Sequence, residues 1–269
     1  MITTKRKGYD LIVSLGGNCT AASQLKFRGL RKCSLALDWT GMFSDKPIRH
    51  LPDCLRNHFK GFCRYENMYD LGNPRIERKR LTYKFVDKAT DYHFWHHFFQ
   101  PLSDREGFER DRLVLERRLK RFYEKIAESK NVLFVLATPF AYDPHKAEEV
   151  LYALRETFSN TTVELVVIQF AAPNKTSADL CDGFLHLETV TRDVDVVYDN
   201  MLTAPEWAWM DNLSLSDMTG KTNGLKKLIM YLEYKLWKSL GKSLLRNGIA
   251  NGRIQFCKIE HGAMALAAK

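Results

Sequence analysis

In "DLIVSLGGNCTAASQL", residues 10–25, a thiol follows two glycines where an apolar run gives way to a helix-like pattern. That placement suits a nucleophile. A cysteine at a helix N-terminus meets unpaired backbone N–H groups and the positive end of the helix dipole, which favour its thiolate. Glycines let the backbone approach a substrate closely. The amides of Gly17, Asn18 and Cys19 are suited to hold the oxyanion formed during acyl transfer. Gly16, Gly17, Asn18 and Cys19 thus have the parts of a nucleophile with its oxyanion pocket. The same stretch also describes a small buried cysteine in a tight strand-to-helix turn. A nucleotide-binding loop fits less well, because "GGNCTA" has neither GxGxxG nor GxxxxGK[ST] spacing. Asp38 does stand about 20 residues on, where a ribose-binding acid would sit.

A thiol nucleophile needs a base, most often histidine. Of eight histidines, His93, His96 and His97 cluster in "DYHFWHHFF" among aromatic residues that would exclude water. His96 is the base this reading selects, with His97 as the alternative; neighbours on a strand face opposite ways, so only one can serve. Asp38, in "LALDWTG", is placed to orient the base or hold a substrate hydroxyl, with Trp39 beside it in the substrate site. Its plain reading is a turn or capping residue. Arg117 and Arg121, with Arg118 between them, either solvate a helix or recognise an anionic substrate. This chemistry requires no cofactor. No metal site is expected, since neither the histidines nor the six cysteines show ligand spacing.

These residues need elements to position them. "YDLIVSL" reads as a buried parallel strand and "TAASQLKFRGL" as a helix stopped near Gly29. "CSLALDW" reads as a second short strand, and "LTYKFVD" as an edge strand. Residues 105–130 form a charge-rich helix with Leu113, Leu115, Leu119, Phe122 and Ile126 on or near one side. "NVLFVLA" is the clearest central strand; "AEEVLYALRETF", "VELVVIQF" and "GFLHLETV" continue as helix, strand and strand. The alternation predicts an α/β fold, a three-layer sandwich with a mostly parallel central sheet, Rossmann-like or GDSL-hydrolase-like. Such sheets bind ligands beyond the carboxyl ends of their strands, where this reading puts Cys19, Asp38 and the Thr138–Pro139 turn. Residues 1–215 are the expected α/β catalytic domain. Residues 216–269 hold a basic amphipathic helix and a tail, packed on that domain or on a membrane surface.

Composition narrows the partners. With 41 Lys and Arg against 32 Asp and Glu, the net charge is +9, which favours acidic partners. From Lys221 to Arg246, six Lys and one Arg face a single acid, Glu233. A basic amphipathic segment there suits an anionic lipid surface, and equally suits docking on the protein's own core. Nucleic-acid binding rests on charge alone, without a motif. The apolar run after "MITTKRKGYD" is too short for a signal peptide or a membrane span, so the chain reads as cytoplasmic, at most membrane-peripheral, with its cysteines reduced.

The ordered segments "SLGGNCTAASQL", "GLRKCSLALDW", "WHHFF" and "ERRLKRF" before "VLFVLA" carry a resemblance covering residues 9 to about 137. The chain is similar to the bacterial family of putative papain-like cysteine peptidases, a domain of unknown function often encoded near cell-surface polysaccharide genes. The family pattern is roughly S-L-G-x-x-C, then L-D-W or F-D-W, then H-D-F, then R-R-x-x-R-F. Carried over, its cysteine falls on Cys19, its aspartate on Asp38, its histidine on His96, and its arginines on Arg117, Arg118 and Arg121. His97 replaces the second acid, and Ala36–Leu37 stands where a proline is common. The resemblance implies peptide hydrolysis. The placement of the thiol after a first parallel strand is also similar to GDSL-type hydrolases and to capsule-biosynthesis acyltransferases with a G-N-C motif. The reading adopted from both is a cysteine-nucleophile acyl-transfer enzyme acting on a surface-glycan precursor, with a coenzyme A thioester as a donor. Peptide hydrolysis is its rival. A non-catalytic module for a sugar nucleotide or anionic glycan, contacted by Asp38 and Arg121, is the other.

Overall fold

The computed structural model describes residues 7–17, 19–42, 44–72, 74–77, 80–138, 143–169, 177–181, 184–188, 210, 213–215, 254–256 and 266–268. Two short strands, β1 (Lys7–Tyr9) and β2 (Leu11–Ser14), lead into α1 (Cys19–Phe27). Next come β3 (Thr40–Met42), α2 (Lys46–Arg56), β4 (Met68–Asp70), β5 (Arg75–Glu77) and β6 (Arg80–Asp87). They are followed by β7 (Tyr92–Phe98), the long α3 (Arg105–Ala127), β8 (Asn131–Thr138), α4 (Pro144–Thr157) and β9 (Thr162–Gln169). β10 (Ser177–Cys181), β11 (Phe184–Glu188) and β12 (Leu213–Leu215) come after, and Ile254–Phe256 pairs antiparallel with Leu266–Ala268.

The fold is mixed α/β. β2, β8, β9 and β11 pair side by side in parallel, and β10 adds antiparallel to β11. "LIVS", "VLFVLA" and "LVVI" are nearly continuous apolar runs because both faces of this sheet are covered. Alternate residues separate accordingly: Val13, Phe134 and Val167 enter one apolar cluster, while Ile12, Val135 and Ile168 enter the other. α1 contributes Ala21 and Leu25 to the second cluster. Helices α2, α3 and α4 contribute Leu55, Phe122 and Leu151 to the first.

A separate antiparallel sheet, in the order β3–β7–β6–β4 with β5 on β6, stands beside this core. It goes beyond the single central sheet expected from the pattern. Its anchor is aromatic: Phe85, Phe94 and Phe98 are buried, and Phe98 stacks on Phe108 of α3 at 4.9 Å between ring centroids. "LTYKFVD" is therefore β6, an interior strand between β7 and β4 rather than an edge.

Two further expectations need correction. "CSLALDW" is a turn, not a strand, and only Thr40–Met42 pairs. Side chains close it. Asp38 Oδ2 accepts from the Leu35 amide at 3.0 Å, and Thr40 Oγ1 donates to the Leu37 carbonyl at 3.0 Å. These local bonds give the backbone an alternative to a ladder. Leu113 is exposed, because α3 buries Phe108, Leu115, Phe122 and Ile126 instead. The basic helix expected over residues 221–246 lies outside the described residues. Among the described residues, no helix is long and apolar enough to cross a membrane.

Phe122 is enclosed by Phe59, Phe134, Phe158 and Tyr123, with centroids 5.2–6.4 Å away. Phe122→Ala should cost about 3–5 kcal/mol in urea unfolding, by lost transfer energy and a residual cavity. Leu113→Ala should stay within about 0.5 kcal/mol of the parent. Equal losses at the two sites would contradict the assigned face of α3.

Candidate active site

The thiol is positioned by a glycine turn that two other elements grip. Gly16 and Gly17 have φ of +85° and +93°, which L side chains rarely adopt. A Cβ on Gly17 would overlap the Ala137 carbonyl at the end of β8; one on Gly16 would strike Thr40 Oγ1. The backbone is tied on both sides. Ala137 N–H donates to the Gly16 carbonyl at 3.3 Å, and Met42 N–H to the Gly17 carbonyl at 3.1 Å. The parallel sheet and β3 therefore clamp one dipeptide between them. Cys19 follows as the first residue of α1, at the carboxyl end of β2 as the sequence suggests. It is 3% exposed, yet it belongs to neither of the two apolar clusters. Asn18 lies outside the described residues, as does Pro139 after Thr138. The Gly16 N–H donates to Ser14 Oγ at 3.2 Å, so it is already engaged and is removed from the oxyanion donors.

The turn ahead of β3 links this dipeptide to the histidines. β3 pairs antiparallel with β7, Thr40 opposite Phe94. Trp39, next in the chain, meets His96 edge-on with ring centroids 6.0 Å apart. β7 is irregular here: between the pairs Tyr83–Phe98 and Phe85–Phe94, the three residues Trp95, His96 and His97 stand opposite Lys84 alone. Such a bulge re-aims side chains. It separates the three clustered histidines. Burial, against a weaker pull from Asp91, lowers His93 to about 4. Burial, then Arg118 and His96, pushes His97 well below the ordinary imidazole range. Both are held neutral and are weak proton acceptors. His96 is half-buried and lies against Trp39.

Asp38 takes the plainer of its two readings, a turn residue, and not a place at a strand's end beside the base. It precedes β3 in a turn, and it bonds Leu35 N–H and Arg31 rather than either imidazole. The Arg31 Nη1–Oδ2 distance is 3.4 Å. At 1% exposure, burial raises its carboxyl to about 6, although the Leu35 N–H, Arg31 and Arg118 all pull it down. Arg31 also lies over the Trp39 ring, 5.2 Å from its centroid. Arg121 donates to the Ser34 carbonyl at 3.0 Å, and Arg118, half-buried on the same face of α3, senses Asp38, Arg121 and Arg31. Arg117 is exposed on another side of α3. Sequence reasoning read Arg117, Arg118 and Arg121 together as helix-solvating or anion-recognising, placed substrate contacts on Arg117 and Arg121, and missed Arg31. The i, i+3 spacing of Arg118 and Arg121 is the signal that selects the shared face. Arg31 had no local signal. Among the described residues, no group of three or more His, Cys, Asp and Glu side chains could hold a metal ion.

A mixed α/β protein with a cysteine heading its first helix, at the carboxyl end of a parallel strand, is the class this geometry defines. The chain belongs to the family described as "Putative papain-like cysteine peptidase (DUF1796)", whose model matches residues 10–171, from the end of β1 to just past β9. It is also similar to "Uncharacterized protein R408" of Acanthamoeba polyphaga mimivirus, with 23% identity over 209 residues, 71% of this chain and 89% of that protein. That relative is viral, so these matches carry neither a bacterial origin nor a polysaccharide-gene setting. No solved structure matches the chain.

Gly17→Ala should cost more than about 3 kcal/mol or prevent folding, because strain and overlap with backbone coincide. Gly29→Ala shares a positive φ, +69°, but meets open space, and should cost about 1–2 kcal/mol. Similar losses in urea would show that the clamp on Gly17 is not tight. The raised carboxyl of Asp38 has a definite sign. The folded state holds this proton more tightly than the unfolded state, so raising the pH from about 4 through about 6 removes stability, and this contribution levels off about one pH unit higher. In Asp38→Asn that dependence should vanish. A stability difference between parent and variant that is flat from pH 4 to 7 would refute it.

Proposed function

We propose that the protein is a cysteine-dependent hydrolase of amide bonds, with Cys19 as nucleophile and His96 as general base and acid. The observation that carries this reading is the clamped Gly16–Gly17 turn. It delivers Cys19 to the head of α1 while β3, tied to the same turn, brings Trp39 against His96. Membership of a peptidase family supports the same choice. His96 is preferred over His97, because burial disfavours the imidazolium that His97 would become on accepting a proton.

In this mechanism the Cys19 thiol loses its proton to His96, and the sulfur attacks the scissile carbonyl carbon. The backbone N–H groups of Gly17, Asn18 and Cys19 hold the oxyanion. When the tetrahedral adduct collapses, the C–N bond breaks and His96 protonates the departing amine. Water then attacks the thioester carbon, His96 takes its proton, and the C–S bond breaks to release a carboxylic acid and the free thiol. Asp38 holds the 31–39 turn and Arg31 rather than the imidazole, so a Cys–His dyad suffices.

Acyl transfer to an acceptor other than water is the second reading. The placement of Cys19 beyond a strand of a parallel sheet favours it, since such edges bind ligands. It uses the same thioester, with a coenzyme A thioester as donor and a glycan precursor as acceptor.

p-Nitrophenyl acetate tests the shared step without a known substrate. The parent should release a burst of one p-nitrophenolate per chain and carry one acetyl group on the peptide containing Cys19. Cys19→Ala should lose the burst, and His96→Ala should slow it by about 10²–10⁴. A burst that survives Cys19→Ala, or acetylation of a different thiol, defeats the proposal. Partitioning of the acetyl-enzyme between water and added amines or sugars then separates hydrolase from transferase.

A further inference from the structure

Beside the candidate site, Arg31 and Arg118 act on the Asp38 carboxylate and Arg121 stands one helical turn from Arg118, so one negative charge faces three positive ones. Arg31 pairs with Asp38 at 3.4 Å, lies over Trp39 and reaches Ser34 Oγ at 3.2 Å. Arg121 spends a donor on the Ser34 carbonyl at 3.0 Å. Arg118, one helical turn before Arg121, is half-buried and makes neither a hydrogen bond nor an ion pair among the described residues, so its donors are open to solvent or to a ligand. A guanidinium fork withdrawn partly from water, and not paired by protein, matches the geometry of an oxyanion. Trp39 is shared by this cluster and the candidate base: Arg31 lies over its ring, 5.2 Å from the centroid, and the His96 ring meets it edge-on at 6.0 Å.

We propose that Arg31, Arg118 and Arg121 form a cradle for one carboxylate or phosphate group, carried by the substrate and held beside Trp39, the ring that His96 also meets. Binding by the cradle stands on its own geometry; only the statement that the anion belongs to a substrate rests on the proposed thiol chemistry. Asp38 is the positioning residue. It fixes Arg31 over Trp39 and leaves the cluster with two positive charges in excess. The substrates so selected are acyl compounds with a negative group at a fixed distance from the scissile carbonyl, such as a peptide with a free terminal carboxylate or a phosphorylated precursor.

Cys33 reports on the cradle from within. It is half-buried, and burial raises its thiol, opposed chiefly by Arg121 and to a lesser degree by Lys125 and Arg31. An anion bound there would cancel that opposition and cover the thiol. The test uses the full chain with inorganic phosphate or acetate at constant ionic strength balanced by chloride. It follows thermal midpoint and the rate of Cys33 alkylation by iodoacetamide. Phosphate, acetate or both should raise the midpoint and slow Cys33 several-fold in a saturable manner. A response to acetate alone identifies a carboxylate site, and a response to phosphate alone a phosphate site. Arg118→Gln should abolish the response, while Lys120→Gln, exposed on the same helix, should keep it. No response to either anion overturns the cradle, as does an Arg118→Gln response equal to the parent's or an equal effect of chloride. The p-nitrophenyl acetate burst depends on Cys19 and carries no anionic group. Its presence without anion binding rejects the cradle alone, and anion binding without a burst rejects the hydrolase alone.

Discussion

Everything near the candidate site depends on two backbone segments lying closer together than any side chain would permit. The Ala137 carbonyl occupies the volume a Cβ on Gly17 would need, and the Leu37–Thr40 turn does the same beside Gly16. Hydrogen bonds from Ala137 and Met42 make the approach favourable as well as permitted. A strand of the parallel sheet, the first helix and the second sheet therefore share one fixed point. The thiol at the head of α1 follows directly from that point, buried but outside both apolar clusters.

Around this point, burial and charge work against each other. Asp38 is surrounded by cations and an amide that favour its ionised form, yet burial dominates and raises it. Arg118 shows the converse: the Asp38 charge supports its cation while burial works against it. Two groups, each poorly solvated, are an expensive arrangement for closing one turn. That cost is easier to understand if a ligand completes the charge balance.

The sequence exposed the parts set by short-range pattern. Apolar runs in "LIVSL", "VLFVLA" and "LVVIQF" located the parallel strands, and the glycine pair before Cys19 located the strand-to-helix turn. What it hid was set by contacts between distant residues. "CSLALDW" has the composition of a strand, but Asp38 and Thr40 bond their own backbone and turn it. Neither the antiparallel sheet nor the company Arg31 keeps has a local signature, since both depend on α3 and β7 arriving alongside. For His96 and His97, alternation on a strand said only that they face opposite ways. That the second of them is sealed in the interior, and held neutral there, is a tertiary fact with no local signature.

The irregular stretch of β7 has a consequence for how the molecule tolerates change. In an uninterrupted antiparallel ladder, pairing propagates, so a displacement at one end is transmitted rung by rung to the other. Three residues set against Lys84 break that transmission. Beyond the break, Phe98 is locked to Tyr83 and the aromatic interior; before it, Phe94 is aligned with Thr40. The surplus residues work as slack between two independently moored ends, so substitutions in the interior can be absorbed before they reach the ring that faces Trp39.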